Sequence, residues 1–397
     1  MIKHLLKLVW NRKRANALIV AEIFISFLVI FAVLTGSIGV ASRWNKPLGF
    51  EYRNVWDVSM DFDVDAGEKA TPELHATVMR MLDEARRFPE VEATGLSNTP
   101  AYAFSTSSGT RDDLNGRRVR LRYDDVTDGF APAMRLKVLR GRWFNAEDDA
   151  AKDQPVVLAA DTAKAIYGDV DPVGKKIADG DMKVQQVVGV VEEYRKDGET
   201  GDEMHMMFLR TAPNARYGRL GSHIMVRVRP GTPPQFEEQL AARLQQVAPG
   251  VSFRVRHMDR MRSDMLRLRL APLVVGAVVG AFLIAMVALG LTGVLWQSVT
   301  RRTREIGLRR AMGATGPNVH HQILGEVVLL TTIALLAGSI IILQLPILGA
   351  FALVSPSAFT AGFLGALATI YALTVLCGLY PSWLASRLQP ADALRYE

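Results

Sequence analysis

The chain has 397 residues, 49% apolar and 22% charged, and carries a formal net charge of +7. A mean hydropathy above zero is too high for an ordinary soluble protein of this length, and no soluble basic patch with interleaved aromatics accompanies the excess of cations, which sets aside the common nucleic-acid binders. A single cysteine, Cys377, leaves no disulfide framework.

Residues 1–16 are basic, with Lys3, Lys7, Arg12, Lys13 and Arg14. They precede the first of four windows almost free of charge, at residues 17–41, 271–297, 323–348 and 358–385. A hydrocarbon layer of roughly 30 Å takes about 20 apolar residues as a helix, so each window is long enough to span it. The first window exceeds the apolar core of about 7–15 residues in a secretion signal. It reads as a retained anchor, although residues 39–42 (GVAS) offer a plausible cleavage point.

Orientation follows lysine and arginine. The connection at 300–321 carries Arg301, Arg302, Arg304, Arg309 and Arg310, the one at 346–357 has no charge, and Arg387 and Arg395 lie near the C-terminus. An even number of spans puts all the basic segments on one face, the cytoplasmic one. The expected partition is a cytoplasmic segment at 1–16, a first span at 17–41 and an extracytoplasmic domain at 42–270. A second span at 271–297, a cytoplasmic connection at 298–320, a third span at 321–348, an outer loop at 349–357, a fourth span at 358–385 and a cytoplasmic tail at 386–397 follow. Both termini are expected in the cytoplasm of a cell whose inner membrane holds the protein.

Within the large domain a pattern occurs twice. Residues 55–62 (VWDVSMDF) alternate as a strand, 71–88 have helical spacing with Leu74, Val78, Met81, Leu82 and Ala85 on one face, and 91–96 form a second strand. The pattern returns as a strand at 223–229, a helix from Pro233 to Val247 and a strand at 251–257. Pro72 and Pro233 stand where a helix start loses nothing by a missing N–H. Two such units, at 50–96 and 223–260, predict a split, ferredoxin-like α+β sheet, with chance likeness of two common motifs as the alternative.

Residues 97–222 read as a β-rich insert, with strand-like runs at 119–126, 154–160 and 184–194 and a short helix ending at Tyr167. Residues 193–207 are polar and methionine-rich (Met204, Met206, Met207, with His205) and read as a mobile loop or a partner contact, being too sparse for a metal site. No helix breaker separates 257–270 from the second span, and Pro272 is tolerated at the membrane boundary. A continuous lever-like helix is expected there, with a flexible juncture as the alternative.

Catalytic patterns are missing. The nearest approach to a phosphate loop, Gly168 to Gly174-Lys175-Lys176, has one residue too many between its glycines and a lysine where the magnesium-binding hydroxyl belongs. It is read as a turn. HExxH, CxxC and GxSxG do not occur, and adjacent His320 and His321 diverge on a helix. No enzyme activity, cofactor or metal is expected on this chain. Glu22 and Glu326 lie inside spans, where acids are costly. Anchoring near the cytoplasmic face, by headgroups or by cations such as Arg12 or Arg304, is the plain reading; coupling or gating is the functional alternative, with proton relay behind it.

The basic connection has two faces. Leu308, Ala311, Met312 and Thr315 follow i, i+3, i+4, i+7 spacing, while Arg302, Glu305 and Arg309 line another face. Gly313 offers a stop, and Gly316-Pro317 a new helix start. This is a docking helix in outline, whereas a loop that only fixes topology would need neither face.

Here the chain resembles the MacB/FtsX-like permease family of mechanotransmission ABC systems. REIGLRRAMGA (304–314) is similar to that family's signature between its second and third spans. YPSWLASRLQPADALRYE (380–397) resembles its closing pattern, and GRWFNAEDD (141–149), YGDVDPVGKKI (167–177) and VVGVVEEY (187–194) resemble its periplasmic core domain. The resemblance implies a dimer with a second copy or a paralogue, and a cytoplasmic ABC ATPase that supplies ATP and magnesium and grips a coupling helix. The residues carried over to that contact are Arg301, Arg302, Arg304, Glu305, Ile306, Gly307, Leu308, Arg309, Arg310, Ala311 and Gly313. It further implies that the two β-α-β units are porter-like and the insert sabre-like. Closure of the ATPases would then move the outer domain for efflux or extraction of a periplasmic or membrane-derived substrate, with a periplasmic adaptor and an outer-membrane channel as further partners. Some exporters of the family carry the ATPase on the same chain; here it is expected on a separate protein. A signalling permease that switches a cell-wall hydrolase or sensor is the alternative. A membrane-tethered enzyme is disfavoured by the missing motifs.

Overall fold

The computed structural model describes residues 13–61, 71–104, 106–178, 184–201, 204–211, 219–301, 308, 316–348 and 355–386. The chain divides into a membrane unit, Met1–Arg43 with Arg269–Glu397, and an inter-span domain, Trp44–Leu268.

Four helices in the described residues are long and apolar enough to cross a membrane: Ala17–Trp44, Met258–Gln297, Leu324–Gln344 and Pro356–Leu379. They belong to the helices Lys13–Trp44, Met258–Arg301, Gly316–Gln344 and Pro356–Ser386. The first is the central one. Ile19, Ile23, Phe27 and Ile30 recur every three or four residues and are buried, while Leu18 and Ile25 face outward. Close approach to its neighbours depends on glycines, as expected where no hydrophobic effect drives helices together in lipid. A methyl group at Gly276 of the second helix would stand 2.9 Å from Val33, one at Gly338 of the third 2.6 Å from Phe27, and one at Gly362 of the fourth 2.1 Å from the Thr35 hydroxyl. Hydroxyl pairs join the third and fourth helices, Thr331 to Thr374 at 3.0 Å and Thr332 to Tyr371 at 3.1 Å.

The inter-span domain begins with β1 (Val55–Asp61), α1 (Pro72–Arg86) and β2 (Val91–Ser97) and ends with β10 (His223–Val228), α4 (Phe236–Val247) and β11 (Ser252–His257). Their strands lie in the order β11-β1-β10-β2, each antiparallel to its neighbour. This is the split ferredoxin-like sheet of the sequence reading. Thr71 caps α1 by accepting from the Leu74 N–H at 3.2 Å, and Pro72 follows at the first helical position. The second helix departs from expectation: it starts at Phe236, three residues after Pro233. Pro234 holds Pro233 out of the helical region, so a turn precedes the helix, closed by the Phe236 N–H donating to the Pro233 carbonyl at 3.0 Å. Val58, Leu96, Ile224 and Val226 of the sheet meet Val78, Met81 and Ala85 of α1 and Phe236, Leu240 and Leu244 of α4 in one apolar core.

Between β2 and β10 lies the insert: β3 (Ser107–Asp112), β4 (Arg118–Val126), α2 (Phe130–Met134), β5 (Val138–Gly141), β6 (Gln154–Ala159), α3 (Ala160–Tyr167), β7 (Lys176–Ala178), β8 (Val184–Val191) and β9 (His205–Arg210). The sheet continues from β2 through β4, β9, β6 and β8 to β5, with β3 on β4 and β7 on β8. β4 and β9 are parallel, as are β6 and β8, which α3 connects. Alternation along β9 sends Met207 and Leu209 under α3 and Met206 and Phe208 to the opposite core. The methionines of the polar stretch at 193–207 are therefore strand interior in part, and residues 194–201 before them are buried. That finding corrects the expectation of a mobile loop or partner contact. Gly168 and Gly174 bound a turn with positive φ at both positions (62° and 82°).

Candidate functional site

The sequence-predicted contact segment lies mainly outside the described residues. Arg301 ends the second span helix and Gly316 opens the third. Arg302, Arg304, Glu305, Ile306, Gly307, Arg309, Arg310, Ala311 and Gly313 fall outside the description, as do the tail residues 387–397. Leu308 is helical and 52% exposed, an apolar side chain presented outward in a basic segment.

Glu22 of the first helix faces the second. Its Oε2 would stand 3.0 Å from a methyl group at Gly290, and its Oε1 is buried without a hydrogen bond among the described residues. Glu326 is half-buried on the third helix.

One dense polar construction among the described residues of the inter-span domain was missed by sequence reasoning. Residues 194–201 (YRKDGETG) follow β8 and turn through a short 3-10 helix, Gly198–Thr200. The Arg195 N–H donates to the Leu48 carbonyl at 2.9 Å, and its guanidinium reaches the carbonyls of Glu199 (3.0 Å) and Lys46 (3.4 Å). Lys196 donates to the Ala103 carbonyl at 2.8 Å, and Asp197 pairs with Arg122 of β4 at 2.5 Å. Glu199 pairs with Arg262, one turn into the helix Met258–Arg301, at 2.7 Å. Arg262 in turn lies over the Tyr52 ring, 5.0 Å from its centroid. Gly198 is left-handed (φ 72°), and a Cβ there would meet the Tyr102 ring at 2.4 Å, so only glycine fits. Burial, and after it the Glu199 carboxylate, push the Tyr102 phenol up. Below, Met258, Met261 and Met265 recur at helical spacing and pack among Phe50, Tyr102 and Tyr194. The ion-pair partners are 63 residues apart, so no local periodicity points to them.

On the far side of this loop is a cleft of about 160 Å³, lined among others by Arg122, Asp161, Lys196, Met204 and His205. Arg122 and Lys196 are engaged elsewhere in the protein, and His205 Nδ1 lies 2.9 Å from Asp161, a hydrogen bond that raises the imidazole pKa. No cluster of three His, Cys, Asp or Glu side chains able to hold a metal occurs among the described residues.

A bundle of four apolar helices with a mixed α/β domain between its first and second members defines a multi-pass membrane protein with a large inter-span module. The model of the MacB-like periplasmic core domain matches residues 23–243, and that of the FtsX-like permease C-terminal matches residues 277–390. The chain belongs to the MacB-like ABC permease family. Its spans and its family make it an inner-membrane protein. The macrolide export ATP-binding/permease protein MacB of Bordetella avium is 28% identical over 278 residues, 66% of this chain and 41% of that protein. MacB of Agrobacterium fabrum is 27% identical over 405 aligned residues, 96% of this chain and 60% of its own length. The uncharacterized ABC transporter permease YknZ of Bacillus subtilis is 25% identical over 318 residues, 76% and 77% of the two chains. The chain spans about half the length of the MacB relatives it matches. Among solved structures, the periplasmic region of MacB from Actinobacillus actinomycetemcomitans aligns over 56% of this chain and 97% of its own, with 15% identity and a TM-score of 0.39.

Proposed function

We propose that this chain is the membrane-spanning, non-catalytic part of an ABC export system, in which ATP binding and hydrolysis on an ABC ATPase drive motion of the inter-span domain outside the cytoplasm. The observation that carries the reading is the order of parts: core-domain and permease matches in succession, with the basic segment 301–315 held between the second and third apolar helices. A short cationic segment so confined is on the cytoplasmic face by the positive-inside rule, where an ATPase can reach it. Arg304, Glu305, Ile306, Gly307, Arg309 and Arg310 form the ATPase contact, with Arg301, Arg302, Leu308, Ala311 and Gly313 completing the contact segment. The ATP and magnesium belong to the ATPase. Export, rather than signalling, is favoured by the relatives, several of which are named for export. The cargo is drawn from the periplasm or the outer leaflet; the active unit is a dimer, and an adaptor and an outer-membrane channel complete the path.

The test is charge reversal. Arg304→Glu with Arg309→Glu, measured on the protein and its co-purified ATPase in nanodiscs, abolishes permease-dependent stimulation of ATP hydrolysis while membrane insertion is retained. Stimulation at the unaltered level would refute the contact.

A further inference from the structure

The loop at residues 194–201 is held by two segments that continue along the chain into the first and second spans. One grip is the segment that follows the first span, whose Lys46 and Leu48 carbonyls accept from Arg195. The other is the second span helix, through Arg262 and Glu199. The loop's remaining ties run into the insert: Asp197 to Arg122 in β4, Lys196 to the Ala103 carbonyl, and β9 a few residues further along the chain.

We propose that Arg262 and Glu199 are positioning residues that pass movement of the second span helix to the insert, with the loop 194–201 as the connecting piece. The proposal rests on the ATP-driven permease reading above and adds the residues through which the stroke reaches the domain. Mere attachment of the helix does not require this pair, because Met258, Met261 and Met265 already bury an apolar face in the domain. The pair adds stiffness. Glu199 is 6% exposed; its Oε1 accepts from Arg262 and its Oε2 accepts no hydrogen bond among the described residues. A carboxylate so placed has its charge offset chiefly by one guanidinium, and drawing the two apart leaves a buried charge uncompensated, a steep cost. When the helix turns or slides, Glu199 therefore follows it. Gly198 lets the loop lie flat on the Tyr102 ring, and Asp197, two residues before Glu199, carries the displacement to β4.

Two single variants and one double variant test the idea on the full-length protein with its ATPase in nanodiscs. The readout is hydrogen exchange in β4 and β9, without nucleotide and with ATP plus vanadate. The unaltered protein changes exchange in these strands on nucleotide trapping. Glu199→Gln keeps nucleotide-free exchange and ATP hydrolysis but loses the nucleotide-dependent change. Arg262→Gln, which leaves the buried Glu199 without its guanidinium, raises nucleotide-free exchange around residues 194–201 and also loses that change, and the exchange of partners, Arg262→Glu with Glu199→Arg, restores it. Full transmission in both single variants overturns the proposal. So does a general rise in nucleotide-free exchange in Glu199→Gln, which would make the pair merely structural. If the unaltered protein itself shows neither stimulated hydrolysis nor a nucleotide-dependent change, the permease reading fails and takes this proposal with it; loss confined to the variants leaves that reading intact.

Discussion

The two halves of the inter-span domain are built by different means. The ferredoxin-like half is closed by hydrophobic burial, with Val58, Leu96, Leu240 and Leu244 all at 0% exposure between one sheet and two helices. One acid interrupts it, Asp57, which His223 and Arg256 meet at 2.8 and 3.1 Å. The insert has apolar cores too, but its joints are ionic. Arg210 is wholly buried and reaches Asp128 at 2.7 and 2.8 Å and Asp149 at 2.6 Å. Arg122–Asp197 and Arg262–Glu199 tie its loops in the same manner. Apolar burial is non-directional and tolerates small shifts, whereas a buried ion pair fixes particular atoms. The first half is suited to a platform, and the second to a part whose position must be set.

The contrast breaks most readily at the platform. Leu240→Ala removes a fully buried side chain of the apolar core and is expected to cost about 2–5 kcal/mol. Thermal unfolding of the full-length protein in detergent, with exchange resolved by strand, should show β1 and β10 loosening first. Loosening that starts in β9 would mean the two halves share one core.

Arg210→Met keeps the bulk and removes the charge. Breaking a buried pair costs roughly 3–5 kcal/mol, but Asp128 and Asp149 are 35% and 42% exposed and can rehydrate, so about 2–3 kcal/mol is expected. Exchange should rise around β9 and the turn Ala146–Ala150 and stay low in α1 and α4. An unchanged insert would remove the ionic half of the comparison.

These two halves were also unequally legible. β-α-β units are local, so alternation at 55–62 and the spacing Val78, Met81, Leu82, Ala85 were enough to read the first half, and only the Pro233-Pro234 start misled. In the insert the partners are far apart in sequence: Arg122 and Asp197 are separated by 75 residues, Arg210 and Asp128 by 82. β3 lacks an apolar alternation because its sequence, SSGTRD, lies mostly at the surface, so only the pairing with β4 reveals it as a strand. The stretch YRKDGET read as a mobile loop or partner contact because its charges have no local partners; in the fold partners for Arg195, Lys196, Asp197 and Glu199 come from four other segments.

A third prediction sharpens the contrast through pH. Burial raises the Asp125 carboxyl to about 7 from 3.8, its main support being the Arg219 N–H at 3.1 Å. The folded state therefore holds this proton more tightly than the unfolded chain. The resulting stability is fully present below pH 3.8 and is lost as pH rises through about 7. Asp125→Asn keeps the acceptor and removes the charge. At pH 8 it should stabilise the protein by about 1 kcal/mol or more, the worth of one pK unit, with little effect at pH 4. A melting temperature that falls at pH 8 would show that the anion is needed.

The smallest effect is expected at His205 and Asp161, which pin the start of α3 to β9 beside the cleft. The Asp161 hydrogen bond raises the imidazole pKa above 6.5. Protonation is thus favoured by folding, and the pair's contribution is complete below pH 6.5 and fades as pH rises through the raised value. The side chains are 34% and 27% exposed, which holds the contribution within about 0.2–1 kcal/mol. Asp161→Asn should flatten the melting temperature between pH 6 and 8 and leave the pH 8 value nearly unchanged. The same variant leaves Thr162 donating to the Met206 carbonyl at 2.8 Å, so α3 keeps its other attachment and the pH term is read by itself. A drop in stability as large at pH 8 as at pH 6 would mean that Asp161 acts on the fold as a neutral hydrogen-bond acceptor, and the insert would have one ionic joint fewer than the comparison requires.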